Sequence, residues 1–197
     1  MKILFLKKVV KFVKIFILQK IRFLIGKAVE YRDKKQYKKA LRCLYIFEKI
    51  LKVFLGVDIV KQSSGHERLK LELYFLTHNY TYIVQNIDSY LEAIDKYPLK
   101  RWTQADKNYF KVYATMFAYF AYFLLGERAK SDELYQYMDS LDILDVDREE
   151  VFDRPPYLRK NLEKIFEEDP YYKENFSQNQ LTYLLKEVAE FWGEEEK

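Results

Sequence analysis

The stretch from Ile3 to Leu55 has the sequence ILFLKKVVKFVKIFILQKIRFLIGKAVEYRDKKQYKKALRCLYIFEKILKVFL and contains no proline. Its apolar side chains recur near helical spacing over residues 3–25 and again over residues 37–55, which predicts two amphipathic helices. Tyr31 to Lys35 lies between them and reads as a helix end followed by a tight polar turn. The sequence therefore predicts a basic helical hairpin over residues 1–56.

The rest of the chain also carries helical patterns. Only five Gly and four Pro occur among 197 residues, which suits long helices with few tight turns. Further helices are predicted over Glu67–Leu76, Tyr80–Lys96, Thr103–Leu125, Arg128–Leu141, Tyr157–Glu168 and Gln178–Trp192, with Val57 to Gly65 as a loop. Thr103–Leu125 is apolar on nearly every face, so it is the predicted central buried helix.

These patterns predict an all-α fold, either antiparallel helical hairpins stacked as a short solenoid or an irregular helical bundle. The length fits one domain over residues 1–197. Within it we expect the basic hairpin, central helical hairpins over residues 66–141, and an acidic loop with C-terminal helices over residues 142–193.

Part of the pattern resembles a known repeat family. Tyr31, Ala40 and Leu44 have the spacing of the aromatic, the small crossing residue and the second-helix anchor of the tetratricopeptide hairpin. Two other sets repeat the motif in part: Tyr90, Ala93 and Pro98, and Tyr122, Gly126 and Tyr135. The hairpins begin about 45 residues apart, nearer the period of HEAT-like pairs than of tetratricopeptides. The resemblance covers residues 15–140 and implies stacked antiparallel helices with a concave surface for a peptide or protein.

The net charge of +4 is divided unevenly along the chain. Residues 1–61 hold 17 Lys and Arg against 4 Asp and Glu, whereas residues 62–197 hold 17 against 26. The two parts therefore differ in sign, at +13 and −9. Such an asymmetry indicates charged partners.

The first helix has a basic face. Lys7, Lys8, Lys11, Lys14 and Arg22 gather on one arc, which is typical of a helix that lies on an anionic membrane surface. The alternative is a core helix, favoured because the next amphipathic segment needs a packing partner. No 18-residue window of this region is free of Lys or Arg, which argues against a transmembrane span, and no signal-peptide cleavage site precedes Gly26. With Cys43 as the single cysteine, we expect a cytoplasmic protein, with membrane association as the alternative.

An acidic segment follows the central helices. Nine acidic residues and one basic residue lie between Asp132 and Asp153. A calcium loop starting at Asp145 would need Gly where Glu150 stands, so we expect a solvated segment or an acidic surface for a basic partner. The candidate partner-binding residues are Tyr135, Tyr137, Asp139, Asp142, Asp145, Asp147, Glu149 and Glu150.

The search for chemistry is negative. His66 and His78 fall at predicted loop or helix boundaries without ligands at metal-binding spacing, and Cys43 is expected to be a small core residue. Glu72, Glu92 and Glu163 are expected on exposed helix faces. No nucleotide-binding, serine hydrolase or zinc protease motif occurs. The sequence therefore predicts no catalytic, cofactor or metal site. Nucleic-acid binding is also disfavoured, because the N-terminal Phe side chains fall on the apolar side.

A small, helical chain that is 18% aromatic and carries an acidic patch is similar in profile to bacterial immunity proteins. That resemblance implies a non-enzymatic, cytoplasmic antitoxin that neutralises a basic toxin domain by covering it. The alternative is a peripheral membrane adaptor that uses the basic N-terminal helix.

Overall fold

The computed structural model describes residues 21–55, 64–96, 103–141, 143 and 159–193. Within these ranges the chain forms nine helices and no strand, which confirms the predicted all-α class. In chain order the helices are α1 (described over residues 21–33), α2 (Tyr37–Leu55), α3 (Ser64–Leu76), α4 (Tyr80–Lys96), α5 (Gln104–Leu124), α6 (Arg128–Asp139), α7 (Arg159–Glu168), α8 (Pro170–Asn175) and α9 (Gln178–Trp192).

The chain divides into two compact units, Met1–Asn79 and Tyr80–Lys197. This boundary falls inside the segment 66–141 that the sequence grouped together, and the single domain stays a prediction. The first unit holds 19 Lys and Arg against 6 Asp and Glu, a net charge of +13. The second holds 15 against 24, a net charge of −9. The charge asymmetry of the sequence therefore follows the division of the fold.

In the first unit, α1, α2 and α3 share an apolar core. Ala40 and Leu44 are fully buried with Ala28 of α1 and with Leu69 and Leu73 of α3. The methyl side chain of an alanine allows neighbouring helices to approach closely. A second cluster, formed by Ile21, Phe47 and Leu51, extends the contact between α1 and α2. The two helices are therefore held together along most of their described length.

The turn from α1 to α2 is short and polar, as predicted. Lys35 has a φ of +55°, and the backbone N–H of Gln36 donates to the carbonyl of Tyr31 over 2.8 Å. This bond satisfies a carbonyl that the end of α1 would otherwise leave without a partner.

In the second unit, α5 is the central buried helix that the sequence predicted, and α4 and α6 pack along it. A capping box between Thr103 and Asp106 begins the helix, because each satisfies a backbone N–H that has no helical partner. Gly126 follows its end with a φ of +82°, a conformation that favours glycine. A second capping box, between Ser177 and Gln180, begins α9.

Three details of the prediction were wrong. α6 ends at Asp139, two residues before the predicted Leu141. α3 begins at Ser64, within the predicted loop, so the helix starts three residues before the expected Glu67. Glu72 is 4% exposed, not on an outer face, because Arg32 of α1 lies 3.2 Å from its carboxylate and offsets part of the cost of burial. Glu92 and Glu163 are exposed, as predicted.

Candidate functional site

The structure describes three of the eight predicted partner-binding residues. Tyr135, Tyr137 and Asp139 lie on α6, where Asp139 is exposed and the two tyrosines are partly buried. The other five fall outside the described residues: Asp142, Asp145, Asp147, Glu149 and Glu150. Of the predicted basic face, only Arg22 lies within them, exposed on α1, while Lys7, Lys8, Lys11 and Lys14 do not.

Tyr135 is anchored between two helices. Its ring centroid lies 5.8 Å from that of Tyr119 on α5 and 5.6 Å from that of Phe191 on α9. Burial raises the pKa of the Tyr135 hydroxyl, and the carboxylates of Glu187, Glu190 and Asp139 raise it further. The fold therefore brings two acidic side chains of α9 beside the predicted residues Tyr135 and Asp139.

Tyr137 plays a different part. Its hydroxyl hydrogen-bonds to Lys111 of α5, whose ammonium lies 2.6 Å from Oδ1 of Asp95 on α4. The side chain therefore joins α6 to α5, and we remove it from the candidate surface.

A cation and two aromatic rings meet at the turn between α5 and α6. The guanidinium carbon of Arg128 lies 4.4 Å from the ring centroid of Phe123 and 4.5 Å from that of Tyr183 on α9. The two rings are nearly parallel, at 12°, with centroids 5.9 Å apart. Cation–π contacts of this kind fix the guanidinium in place. The three side chains thus form one ordered stack, although Tyr183 remains 42% exposed.

Glu187 contacts both this stack and Tyr119, and its charge also raises the pKa of Tyr135. The Tyr119 hydroxyl donates to Oε2 of Glu187 over 3.3 Å, and hydrogen bonding to Glu187 is the main cause that raises the pKa of Tyr183, ahead of burial. We call the set Arg128, Tyr135, Asp139, Tyr183, Glu187 and Glu190 the α6/α9 face. Its members are two tyrosines and four charged side chains.

An open cavity of about 440 Å³ lies at one end of this face. The lining residues are Phe123, Gly126, Arg128, Asn179, Gln180 and Tyr183. Aromatic rings, two amides and a guanidinium can hold a ligand by stacking and hydrogen bonding. The cavity is therefore a candidate recognition site.

Sequence reasoning missed Arg128, Tyr183 and the α9 carboxylates as members of this site. Within the described residues, two further helices, α7 and α8, lie between α6 and α9 in the sequence, and no local motif connects Arg128 with Tyr183. The amphipathic pattern of α9 shows which side chains face the core, but not which helix they meet.

The first unit holds a separate charged cluster that the sequence did not reveal. His66 is fully buried in the first turn of α3, with Nε2 3.2 Å from Oε1 of Glu67 and 3.8 Å from Oε1 of Glu48 on α2. The three side chains could supply ligand atoms for a metal ion. However, the Lys70 ammonium lies 2.6 Å from Glu48 Oε1 and 3.5 Å from Glu67 Oε1. Since it already supplies positive charge to both carboxylates, we interpret the cluster as an ion-pair network between α2 and α3.

Cys43 and His78 lie apart from these clusters. Cys43 is partly buried against the cluster of α1, α2 and α3, so it lies at the edge of the core and not within it as predicted. Burial raises the pKa of its thiol, which disfavours the nucleophilic thiolate. His78 has a φ of +60° in the turn after α3, where its backbone N–H donates to the carbonyl of Phe75. Each residue therefore has a structural role.

No protein-family model matches the chain, and no curated protein or solved structure is detectably similar to it. Within the described segments, none of the helices has both the length and the hydropathy needed to cross a bilayer.

Proposed function

We propose that this chain is a non-catalytic protein-binding module whose α6/α9 face captures a basic protein in the cytoplasm. The observation that carries the proposal is the stack of Phe123, Arg128 and Tyr183 beside an open cavity, on a unit of net charge −9. Tyrosine and arginine are among the residue types enriched at interface hot spots. Acidic groups around them favour a partner of opposite charge.

The arrangement supports binding because much of it is ordered before a partner arrives. Tyr183 is held by Arg128 and Glu187, and Tyr135 is held by Tyr119 and Phe191. An aromatic side chain that is already fixed loses little conformational entropy on association. Asp139 and Glu190 are exposed. Glu190 lies 3.5 Å from Lys186 on its own helix, an exposed ion pair that a lysine or arginine of the partner can replace.

Capture of a basic protein by an acidic, ordered face fits an immunity function, in which the chain covers a basic toxin domain and so neutralises it. The predicted acidic segment from Asp142 to Glu150 belongs to the same acidic unit of the chain. We also retain the tetratricopeptide-like hairpin as a proposal for α1 and α2, supported by the burial of Ala40 and Leu44 where the two helices pack.

The proposal is tested with the purified chain and a basic protein captured by it, by calorimetric titration. Tyr183→Ala removes the exposed half of the stack and should weaken binding by about 2 kcal/mol, or roughly 30-fold. Tyr45→Ala on α2, where the tyrosine is also exposed, is the matched control and should leave the affinity unchanged.

Charge is tested in the same titration. Asp139→Lys combined with Glu190→Lys should weaken binding further, and the wild-type affinity should fall as salt rises. Glu163→Lys combined with Glu167→Lys on α7 makes the same change in net charge away from the face. Equal losses from the two pairs, or an affinity that is independent of Tyr183, would exclude the α6/α9 face as the binding site.

A further inference from the structure

The first unit carries a second surface of opposite charge, on the outer side of α2. Five basic side chains are exposed there: Lys38, Lys39, Arg42, Lys49 and Lys52. Three apolar or aromatic side chains are exposed among them, with Tyr45 at 63%, Ile46 at 39% and Val53 at 68%. Exposed apolar groups clustered among charges mark interaction sites. We call these eight side chains the α2 face.

The helical repeat explains why these side chains lie together. Ala40, Leu44, Phe47 and Leu51 form the buried side of α2. At 100° per residue, the eight members of the α2 face project within an arc of about 140° on the opposite side. The face is therefore continuous along the helix.

No acidic side chain interrupts the α2 face. Glu48 is the only acidic residue of α2, and its carboxylate is turned toward Lys70 and His66 of α3. The cluster that we interpret as an ion-pair network therefore also keeps the one negative charge of this helix away from the basic arc.

We propose that the α2 face binds the surface of an anionic lipid membrane. Lysine and arginine attract acidic headgroups, while Ile46, Val53 and the ring of Tyr45 can enter the boundary between headgroups and acyl chains. The outer side of a single packed helix is convex. A fluid lipid surface can follow that shape without a matching groove.

The apolar side chains distinguish this partner from a nucleic acid. A phosphate backbone would reward the basic residues, but it would gain little from the aliphatic Ile46 and Val53. Neighbouring parts of the chain carry the same chemistry. Phe23 on α1 is 63% exposed beside the exposed Arg22, and residues 1–20 contain six Lys and no Asp or Glu.

This proposal goes beyond protein capture by the α6/α9 face. It assigns the lipid contact to α2, whereas the sequence pattern indicated the helix over residues 3–24. The two proposals use different units of the chain. Since variants of the α2 face leave the α6/α9 face untouched, either proposal can fail without the other.

The test is co-sedimentation of the full chain with vesicles of phosphatidylglycerol and phosphatidylcholine, compared with vesicles of phosphatidylcholine alone. The wild type should bind the anionic vesicles and not the neutral ones. Replacing Arg42, Lys49 and Lys52 together by Gln should lower the partition coefficient about 100-fold, since each basic group near such a surface contributes about fivefold. Replacing Lys130, Lys164 and Lys186 together by Gln, all exposed in the second unit, makes the same change in net charge and should have little effect.

A second variant separates lipid from other polyanions. Ile46→Ser combined with Val53→Ser should lower vesicle binding about tenfold, and circular dichroism should show unchanged helix content because both side chains are exposed. Wild-type protein that stays in the supernatant would overturn the proposal. Equal losses from the two triple glutamine variants would also overturn it. So would binding to duplex DNA and vesicles that depends on the α2 cations but is unaffected by the serine variant.

Discussion

Glu72 makes the stability of the first unit depend on pH. Burial raises the pKa of this carboxyl from 4.5 to about 7, and the attraction of Arg32 lowers it only in part. Two other neighbours act in opposite directions, since Asp33 raises this pKa and Arg68 lowers it. In the unfolded chain the pKa returns to its ordinary value, so the folded protein binds the proton more tightly.

The sign and the size of the effect follow from these two pKa values. Between pH 4.5 and 7 the folded state holds more protons at Glu72 than the unfolded state does, so the free energy of unfolding falls as pH rises through that window. The stabilisation that proton binding at Glu72 gives the folded state is fully present below pH 4.5 and is lost above pH 7. We expect a loss of about 2.5 kcal/mol between pH 5 and pH 8.

Urea unfolding at several pH values between 5 and 8, followed by far-ultraviolet circular dichroism, measures this loss. Both tryptophans, Trp102 and Trp192, belong to the second unit, so their fluorescence reports that unit as an internal reference. The Glu72→Gln variant carries no titrating group at this position and should lose about 2.5 kcal/mol of the wild-type pH dependence. Comparing the two proteins isolates the contribution of Glu72.

The matched control is Glu30→Gln on α1. Hydrogen bonds from Lys27 and Lys34 lower the pKa of Glu30 to about 2, so this carboxylate stays ionised throughout the measured range. The control should therefore keep the wild-type slope. If Glu72→Gln also keeps that slope, the raised pKa of Glu72 is wrong and so is the account of its burial.

Three substitutions test the backbone conformation and the core packing of the fold, and the same urea unfolding assay measures them. Gly126→Ala should cost about 1–2 kcal/mol, because alanine is strained at a φ of +82° and nothing lies within 4 Å of the added methyl group. Gly26→Ala in α1 also meets nothing within 4 Å and should stabilise by about 0.5–1 kcal/mol; a cost at Gly26 equal to that at Gly126 would contradict the backbone explanation. Ala40→Leu should destabilise by about 1–3 kcal/mol by overfilling the core of the first unit, whereas an unchanged stability would mean that the helices pack more loosely than described.

Much of the fold follows from local rules in the sequence. The capping pairs at Thr103 and Ser177 act over three residues, and Gly126 marks a turn by its own backbone requirement, so each could be predicted correctly. The burial of α5 was also predictable, because a helix that is apolar on nearly every face has to be enclosed.

The wrong predictions concern residues whose surroundings are determined by a distant part of the sequence. Glu72 looked like a surface carboxylate until Arg32, 40 positions earlier, was brought beside it. The members of the α6/α9 face come from two separate parts of the sequence, and only the packing of α9 beside α5 and α6 brings them together. Periodicity assigns a side chain to a face of its own helix, but it does not identify the helix that this face meets.

Site-specific photocrosslinking tests protein capture by the α6/α9 face most directly. A photoreactive phenylalanine analogue is placed at Tyr183 in one protein and at the equally aromatic, exposed Tyr45 in another. We predict a crosslink from position 183 to a basic protein, lost at high salt and absent from position 45. A partner that crosslinks equally from both positions, or only from position 45, would contradict the account.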